Sequence, residues 1–385
     1  MITQLEVSNY RSLRDVRLKL GRLTALVGQN GSGKSNIADV FRFVSEALRV
    51  GLDSAITSRH GIKAVRRWSS GRPFNLRISL RVNEDGFDGG YEFELTGDRS
   101  EEYRVKREHA WVERTDQLAT GYEFTVENGE WHGPKNLSPK VSPTSLSLIG
   151  VAGDERFAPL AECLRDVEVY SIFPDTLRIP QKHDPVIPMK RHGENWATAL
   201  RDLGESGRGE MLAALGKLTG DITSMRVQPV ASFLSAEFQH QPQSKDGRAG
   251  TRRPKWFDAD QESDGTLRVA GILTALLQNP APRLVGIEEP ELTVHVGAIR
   301  LIHDFLYEAS WRTQVLITTH SSELLDLIDP DCVRVVTRSE GATEVSELHA
   351  SQVRAVKQRL ATLGEVARTE GLQPAEKSVL EVAEE

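Results

Sequence analysis

The sequence predicts an α/β fold: a mostly parallel sheet covered by helices, with an antiparallel β lobe and a helical lobe inserted between the two halves of that core. Three observations carry this expectation. A buried-strand pattern, a glycine-rich turn and a long helix with one apolar stripe follow one another within residues 23–48. Period-two alternation broken by Gly-, Asp- and Asn-rich turns fills residues 74–131. Strand and helix signals then alternate over the last third of the chain. The expected segments are 1–70 and 226–385 for the core, 71–175 for the β lobe and 176–225 for the helical lobe.

Taken in order, residues 2–7 alternate loosely and read as a strand, and 23–27 form a short apolar run ended by Gly28. Ile37, Val40, Phe41, Val44 and Leu48 recur at helical spacing and make one apolar stripe. Leu76, Ile78 and Leu80, then Tyr91, Phe93 and Leu95, then Tyr122, Phe124 and Val126 alternate with polar residues, the mark of antiparallel strands with one wet face. Residues 133–145 carry three prolines and read as a loop, and 194–218 as helix interrupted at the glycine-rich run from Gly204. After Met225 the α/β pattern returns. Leu267, Ala270, Leu273 or Thr274, and Leu277 mark a helix, 284–287 a strand, and Ile299, Ile302, Phe305, Leu306 and Ala309 a second helix. Residues 315–318 and 332–337 are further strands.

The 39% hydrophobic and 27% charged residues are those of an ordinary globular chain, which excludes a disordered or membrane-embedded one. No apolar run has the length of a bilayer span and no signal-peptide core opens the chain, so a cytoplasmic location with no membrane partner is expected. A net charge of −7 argues against a surface that binds nucleic acid everywhere, and leaves room for a local basic patch. Residues 245–255 offer one: Lys245, Arg248, Arg252, Arg253 and Lys255, followed by Trp256. Such a segment either contacts phosphates and stacks a base or is a solvated loop. Cys163 and Cys332 lie far apart in apolar surroundings without metal-ligand spacing, and read as core thiols.

The chemistry concentrates in four short segments. Gly28-Gln29-Asn30-Gly31-Ser32-Gly33-Lys34-Ser35 fits G-x-x-x-x-G-K-[ST], between a strand and an amphipathic helix. In that pattern the backbone of Asn30, Gly31, Ser32 and Gly33 wraps phosphates, Lys34 reaches the β- and γ-phosphates of ATP, and the Ser35 hydroxyl ligates Mg²⁺. Leu284-Val285-Gly286-Ile287-Glu288-Glu289-Pro290-Glu291 is an apolar strand ending in consecutive acids. Glu288 suits the metal and Glu289 the attacking water, as general base. Ser263-Asp264-Gly265-Thr266 opens a helix and reads as a cap, a geometry whose free amides also bind anions. Thr318-Thr319-His320-Ser321 ends a strand, where His320 is either a turn residue or a contact to the γ-phosphate or the water.

In this order the segments resemble the ABC-type ATPase heads of the RecF, SMC and OLD proteins, and most of all compact bacterial AAA-family ATPases that share the Ile-Glu-Glu-Pro-Glu strand end. Asn9-Tyr10-Arg11-Ser12-Leu13 is similar to that family's N-terminal segment, and Gly193-Glu194-Asn195-Trp196 to its Gly-x-Asn helix start. The resemblance adds Arg11 to the nucleotide-binding set. It puts Ser263 and Gly265 at the signature position, and His320 at the switch-histidine position. It implies ATP-driven pairing of two copies into a dimer or higher oligomer, with genome maintenance or anti-phage defence as the process, acting on DNA or through a separately encoded effector or nuclease. A slowly hydrolysing scaffold or sensor that holds an effector is the other reading. Two departures stand out. Leu292-Thr293-Val294-His295-Val296 replaces the family's Asn-Gly-Leu-His-Pro, and no Toprim nuclease domain follows, residues 365–385 being polar and of mixed charge. Gln181 is the candidate for the family's Q-loop glutamine.

Overall fold

The computed structural model describes residues 1–115, 121–185, 188–241 and 253–375. They form two compact units. One holds Met1–Val167, Asp329–Thr362 and the residues from Val366 onward; the other holds Glu168–Ile328 with Leu363–Glu365.

The first unit is built on a sheet whose chain-order strands are β1 (Ile2–Tyr10), β2 (Leu13–Lys19), β3 (Leu23–Val27), β4 (Leu76–Glu84), β5 (Phe87–Thr96), β6 (Arg104–Arg114), β7 (Gly121–Glu127), β8 (Glu130–His132), β16 (Val333–Ser339) and β17 (Ala342–Glu347). Their order across the sheet is β8-β7-β6-β5-β4-β1-β2-β17-β16-β3. Helix α1 (Lys34–Val50) packs its stripe of Ile37, Val40, Phe41, Val44 and Leu48 into the core. Its Phe43 ring lies 5.6 Å from Tyr10 of β1 and 6.4 Å from Phe93 of β5. Strand β5, inside the segment 71–175 expected as the β lobe, thus packs against the N-terminal helix. The alternation of β4 puts Leu76, Ile78, Leu80 and Val82 inside and Arg77 and Arg81 outside.

In the second unit β9 (Val167–Tyr170), β14 (Leu284–Glu288) and β15 (Gln314–Thr319) lie in the order β15-β14-β9. A small antiparallel sheet joins β10 (Gln181–Lys182), β11 (Ile222–Val230), β12 (Phe233–His240) and β13 (Lys255–Asp258). Its longer helices are α2 (Trp196–Asp202), α3 (Glu205–Thr219), α4 (Asp264–Leu277) and α5 (Val296–Ala309). Twelve of the fourteen residues of α4 are buried, so it is a core helix and not an amphipathic surface one.

Several expectations need correction. The core has parallel pairs as expected, β3 with β16, β2 with β17 and β14 with β15, but also two antiparallel hairpins that were not expected, β1–β2 and β16–β17. The reason is connection length. β1–β2 and β16–β17 are each joined by a short turn, and a short turn can link only antiparallel neighbours. The α/β pattern also does not resume at Met225, because β11 to β13 pair antiparallel before α4 begins. The helix break near residue 204 falls at Leu203, and α3 then runs through Gly207 and Gly209. Cys163 is buried as expected, but Cys332 is only half-buried, in the turn before β16.

Candidate nucleotide-site elements

In the first unit the phosphate loop joins β3 to α1. Gly33 (φ 111°) is the residue before the helix, and no side chain caps its first turn, which leaves the positive end of a 17-residue helix facing the loop. The loop fits its groove only with glycine at two points. A Cβ on Gly28 would lie 2.0 Å from the Val336 carbonyl oxygen, and one on Gly33 2.1 Å from Thr343 Oγ1. Lys34 is buried, and its ammonium donates to the carbonyls of Gly28 (2.6 Å) and Gln29 (3.0 Å). Ser32 Oγ is buried with no hydrogen-bond partner among the described residues, an orphaned donor inside a cradle of backbone amides. Ser35 is exposed. An orphaned hydroxyl, an uncapped helix start and a glycine-lined loop are what a polyphosphate needs, so the residues present fit a nucleotide.

Behind the loop lies a polar network that sequence reading missed. Thr343 of β17 donates its hydroxyl to the Ser32 carbonyl (2.8 Å). Since Thr343 has one hydroxyl proton, Ser12 must donate across the 2.7 Å contact between the two, and Asn36 in turn donates to Ser12 (2.8 Å). Tyr10 donates to Asp39 of α1 at 2.6 Å. Arg11, in a left-handed turn (φ 48°), pairs with the same Asp39 at 3.0 Å. The Asn9–Leu13 segment thus braces the start of α1, and it brings Arg11 to that helix. Asp39 also meets Arg42 and the buried Arg59, whose Nη2 lies 2.9 Å away.

In the second unit three acids cluster at the end of β14. Glu288 accepts from Arg191 Nη2 at 3.0 Å. Glu289, the first residue beyond the strand, has φ 45° and is held there by its N–H, which donates to the Thr318 carbonyl (2.9 Å) and hydroxyl (3.2 Å). A non-glycine residue kept in this region is local strain, which clusters at functional sites. Its carboxylate faces His320 Nδ1 at 3.4 Å. Glu291 accepts from Thr319 Oγ1 (2.6 Å) and from the His320 N–H (3.3 Å), while its other oxygen is buried with no partner among the described residues.

Arg268 of α4 holds this corner from behind. It donates to the carbonyls of Glu288 (3.1 Å), Glu289 (2.7 Å) and Ile172. Burial pushes its pKa down while the charges of Glu291, Glu289 and Glu288 oppose that. One signal was readable: Arg268 is a lone charge at the head of the apolar run Val269-Ala270-Gly271-Ile272-Leu273. Nothing local marks Arg191, which is 97 residues from its partner.

At the start of α4, Ser263 is the N-cap and accepts from the Thr266 N–H at 3.1 Å. Arg178 ties the turn down through Asp264 and the Glu262 carbonyl (3.1 Å). Gly265 is close to the loop after the acids, since a Cβ there would meet the Thr293 carbonyl at 3.2 Å. Gln181 is not free for a ligand. Its amide donates to the carbonyls of Thr176 (2.9 Å) and Gly193 (2.6 Å) and accepts from the Ala197 N–H (2.9 Å), a clamp at the start of α2. Of the basic segment 245–255, residues 245–252 lie outside the described residues. Trp256, expected to offer a stacking face, has the Arg226 guanidinium 4.0 Å from its ring centre.

The comparisons agree with this architecture. Residues 1–96 match the family "AAA ATPase domain", and residues 236–326 the family "AAA domain, putative AbiEii toxin, Type IV TA system". A solved SMC head bound to the C-winged helix domain of ScpA aligns over 92% of this chain and 99% of that one, with a TM-score of 0.55 at 16% identity. The SMC head domain from Thermotoga maritima aligns over 91% and 99%, with a TM-score of 0.44 at 14% identity. An OLD nuclease from Thermus scotoductus is 54% identical over 37 residues, 10% of this chain and 7% of that protein's length. The fold is thus that of a solved SMC head, and two segments of the chain match AAA ATPase families.

Proposed function

We propose that this head hydrolyses Mg²⁺–ATP and uses the cycle to close and reopen a pair of heads, acting on DNA or on a separately encoded effector. Asn30, Gly31, Ser32, Gly33 and Lys34 hold the phosphates, with Arg11 beside them; Ser263 and Gly265 serve the γ-phosphate of the facing copy. Ser35 and Glu288 are the residues that would hold Mg²⁺, whose charge offsets that developing on the transferred phosphate. Glu289 is the general base and His320 its neighbour at the γ-phosphate. The observation that carries hydrolysis, beyond binding, is the strained Glu289, tethered through Thr318 with its carboxylate beside an imidazole. Phosphate release by the purified protein tests it. Lys34→Ala is expected to abolish turnover and to weaken nucleotide binding, because Lys34 supplies the loop's cation. Undiminished turnover in that variant removes the P-loop from the mechanism.

A nucleic-acid partner is supported by residues 54–83, which contain no Asp or Glu and seven Lys or Arg, of which Arg59 and Arg66 are buried, in a chain of net charge −7. Trp68 is 78% and Arg72 74% exposed, and Arg72, Phe74, Arg104 and Lys106 line a groove of about 560 Å³. Cations beside exposed aromatics suit a single strand. Replacing Arg72, Arg104 and Lys106 with Ala should weaken oligonucleotide binding roughly tenfold at moderate salt and lower the salt slope by about two to three. An unchanged slope assigns the groove to something other than phosphate.

A further inference from the structure

Arg191 is held at its main chain and unfinished at its side chain. The Ser171 N–H donates to the Arg191 carbonyl at 3.0 Å. The next residue, His192, contacts the Ser171 carbonyl through Nδ1 at 2.7 Å and lies against Phe173, ring centres 4.8 Å apart. The backbone is thus pinned to the segment that follows β9. The guanidinium, by contrast, makes one side-chain contact, to Glu288 Oε1, while its Nε is buried without a partner among the described residues. Glu288 is 12% exposed at its side chain, and Arg191 is the one described cation within ion-pair distance of that carboxylate.

A mostly buried carboxylate needs a counter-charge. A guanidinium with an unsatisfied N–H is a replaceable one, because leaving Glu288 offers it the chance to satisfy all its donors elsewhere. We infer that Arg191 is a cation stand-in: it neutralises Glu288 while no metal is bound, competes with Mg²⁺ for that carboxylate, and so sets the Mg²⁺ level at which the site loads. This rests on the assignment of Glu288 as the metal carboxylate. Arg191 acts through Glu288 and is a positioning residue. In this role it offsets the charge of Glu288, one of the three carboxylates of the corner, before the metal arrives.

The test is binding of a fluorescent ATP analogue to the full chain, titrated with Mg²⁺ and also measured in EDTA. Arg191→Gln should lower the half-saturating Mg²⁺ about fivefold, the worth of a partly exposed ion pair. The same variant should weaken binding in EDTA by a similar factor, because Glu288 is then uncompensated. Arg191→Lys, which keeps the charge, should stay near wild type in both. Opposite movement of the two constants is the signature. A variant that merely misfolds weakens both, and that result, like an unchanged or raised half-saturating Mg²⁺, overturns the inference. Glu288→Gln separates the two levels. If it leaves the Mg²⁺ dependence unchanged, Glu288 is not the metal carboxylate. If it shifts that dependence while Arg191→Gln does not, only the stand-in role fails.

Discussion

Glu289→Gln should retain Mg²⁺–ATP and slow its hydrolysis by roughly 10²–10⁴-fold, the usual worth of a general base. The side chain keeps its size, and the backbone that places it is held by Thr318, not by the carboxylate itself. Glu288 still carries its charge for the metal, and Arg268 still bonds both carbonyls at the strand end. Binding and catalysis should therefore separate in this variant. If two copies close on ATP, the trapped variant should accumulate as a species of at least twice the monomer mass. Light scattering with and without ATP reads this directly. A mass that ignores ATP, in a preparation shown to bind it, removes head closure from the proposal. Full-rate hydrolysis in the same variant removes Glu289 as the base. Gly265→Asp is a less clean probe of the facing copy, because a Cβ there already meets the Thr293 carbonyl at 3.2 Å within the same chain.

Asp39→Ala is expected to destabilise the first unit by about 3–5 kcal/mol, the cost of breaking a buried ion pair from one side. The wild-type carboxylate is 5% exposed at its side chain, bonded by Tyr10 and surrounded by Arg59, Arg42 and Arg11. Without it the buried Arg59 keeps only Glu46 as a counter-ion, beside two further guanidiniums. Burial works to raise the Asp39 pKa, and the hydrogen bonds and charge of Arg59, followed by the charges of Arg42 and Arg11, outweigh it and hold the group well below the usual carboxylate range. A depressed pKa gives stability that is complete above the unfolded value near ~3.9 and is lost as pH falls through the folded value. The gap between wild type and variant should thus be full at pH 7 and begin to close below about pH 4. Urea midpoints across that range measure it. A loss under about 1 kcal/mol at pH 7 would show that the cluster behaves as a solvated surface network. The same variant should bind nucleotide more weakly, since Asp39 ties Arg11 and Tyr10 to the helix that carries Lys34 and Ser35.

The elements whose cause is local were legible in the sequence. The stripe on α1, the alternation of β4, β5 and β7, and the strand–turn–helix around Gly28 to Ser35 follow from periodicity, because a helix or strand buries whichever face its neighbours in sequence make apolar. The acids after Ile287 were readable for a similar reason, as charges that an apolar strand end pushes to its rim. Strand direction was legible for the alternating run that begins at β4, expected antiparallel and found so. The sequence announces β16 but not β17, and only the fold shows that the two form a hairpin.

The polar supports of the site were settled by tertiary structure alone. Thr343 reaches Ser12 across 331 positions and Arg191 reaches Glu288 across 97. Gln181, plausible as a ligand from its place in the order of motifs, is consumed by backbone groups of its own neighbourhood. A buried donor or charge must find a partner wherever the fold brings one, and the partner's identity follows from distance in space. Sequence by itself determined which residues carry charge, hydroxyls and backbone freedom in this protein. Which of them face one another was decided by the fold, because hydrogen bonds and ion pairs fall off over a few ångströms while the chain separates their members by tens to hundreds of residues.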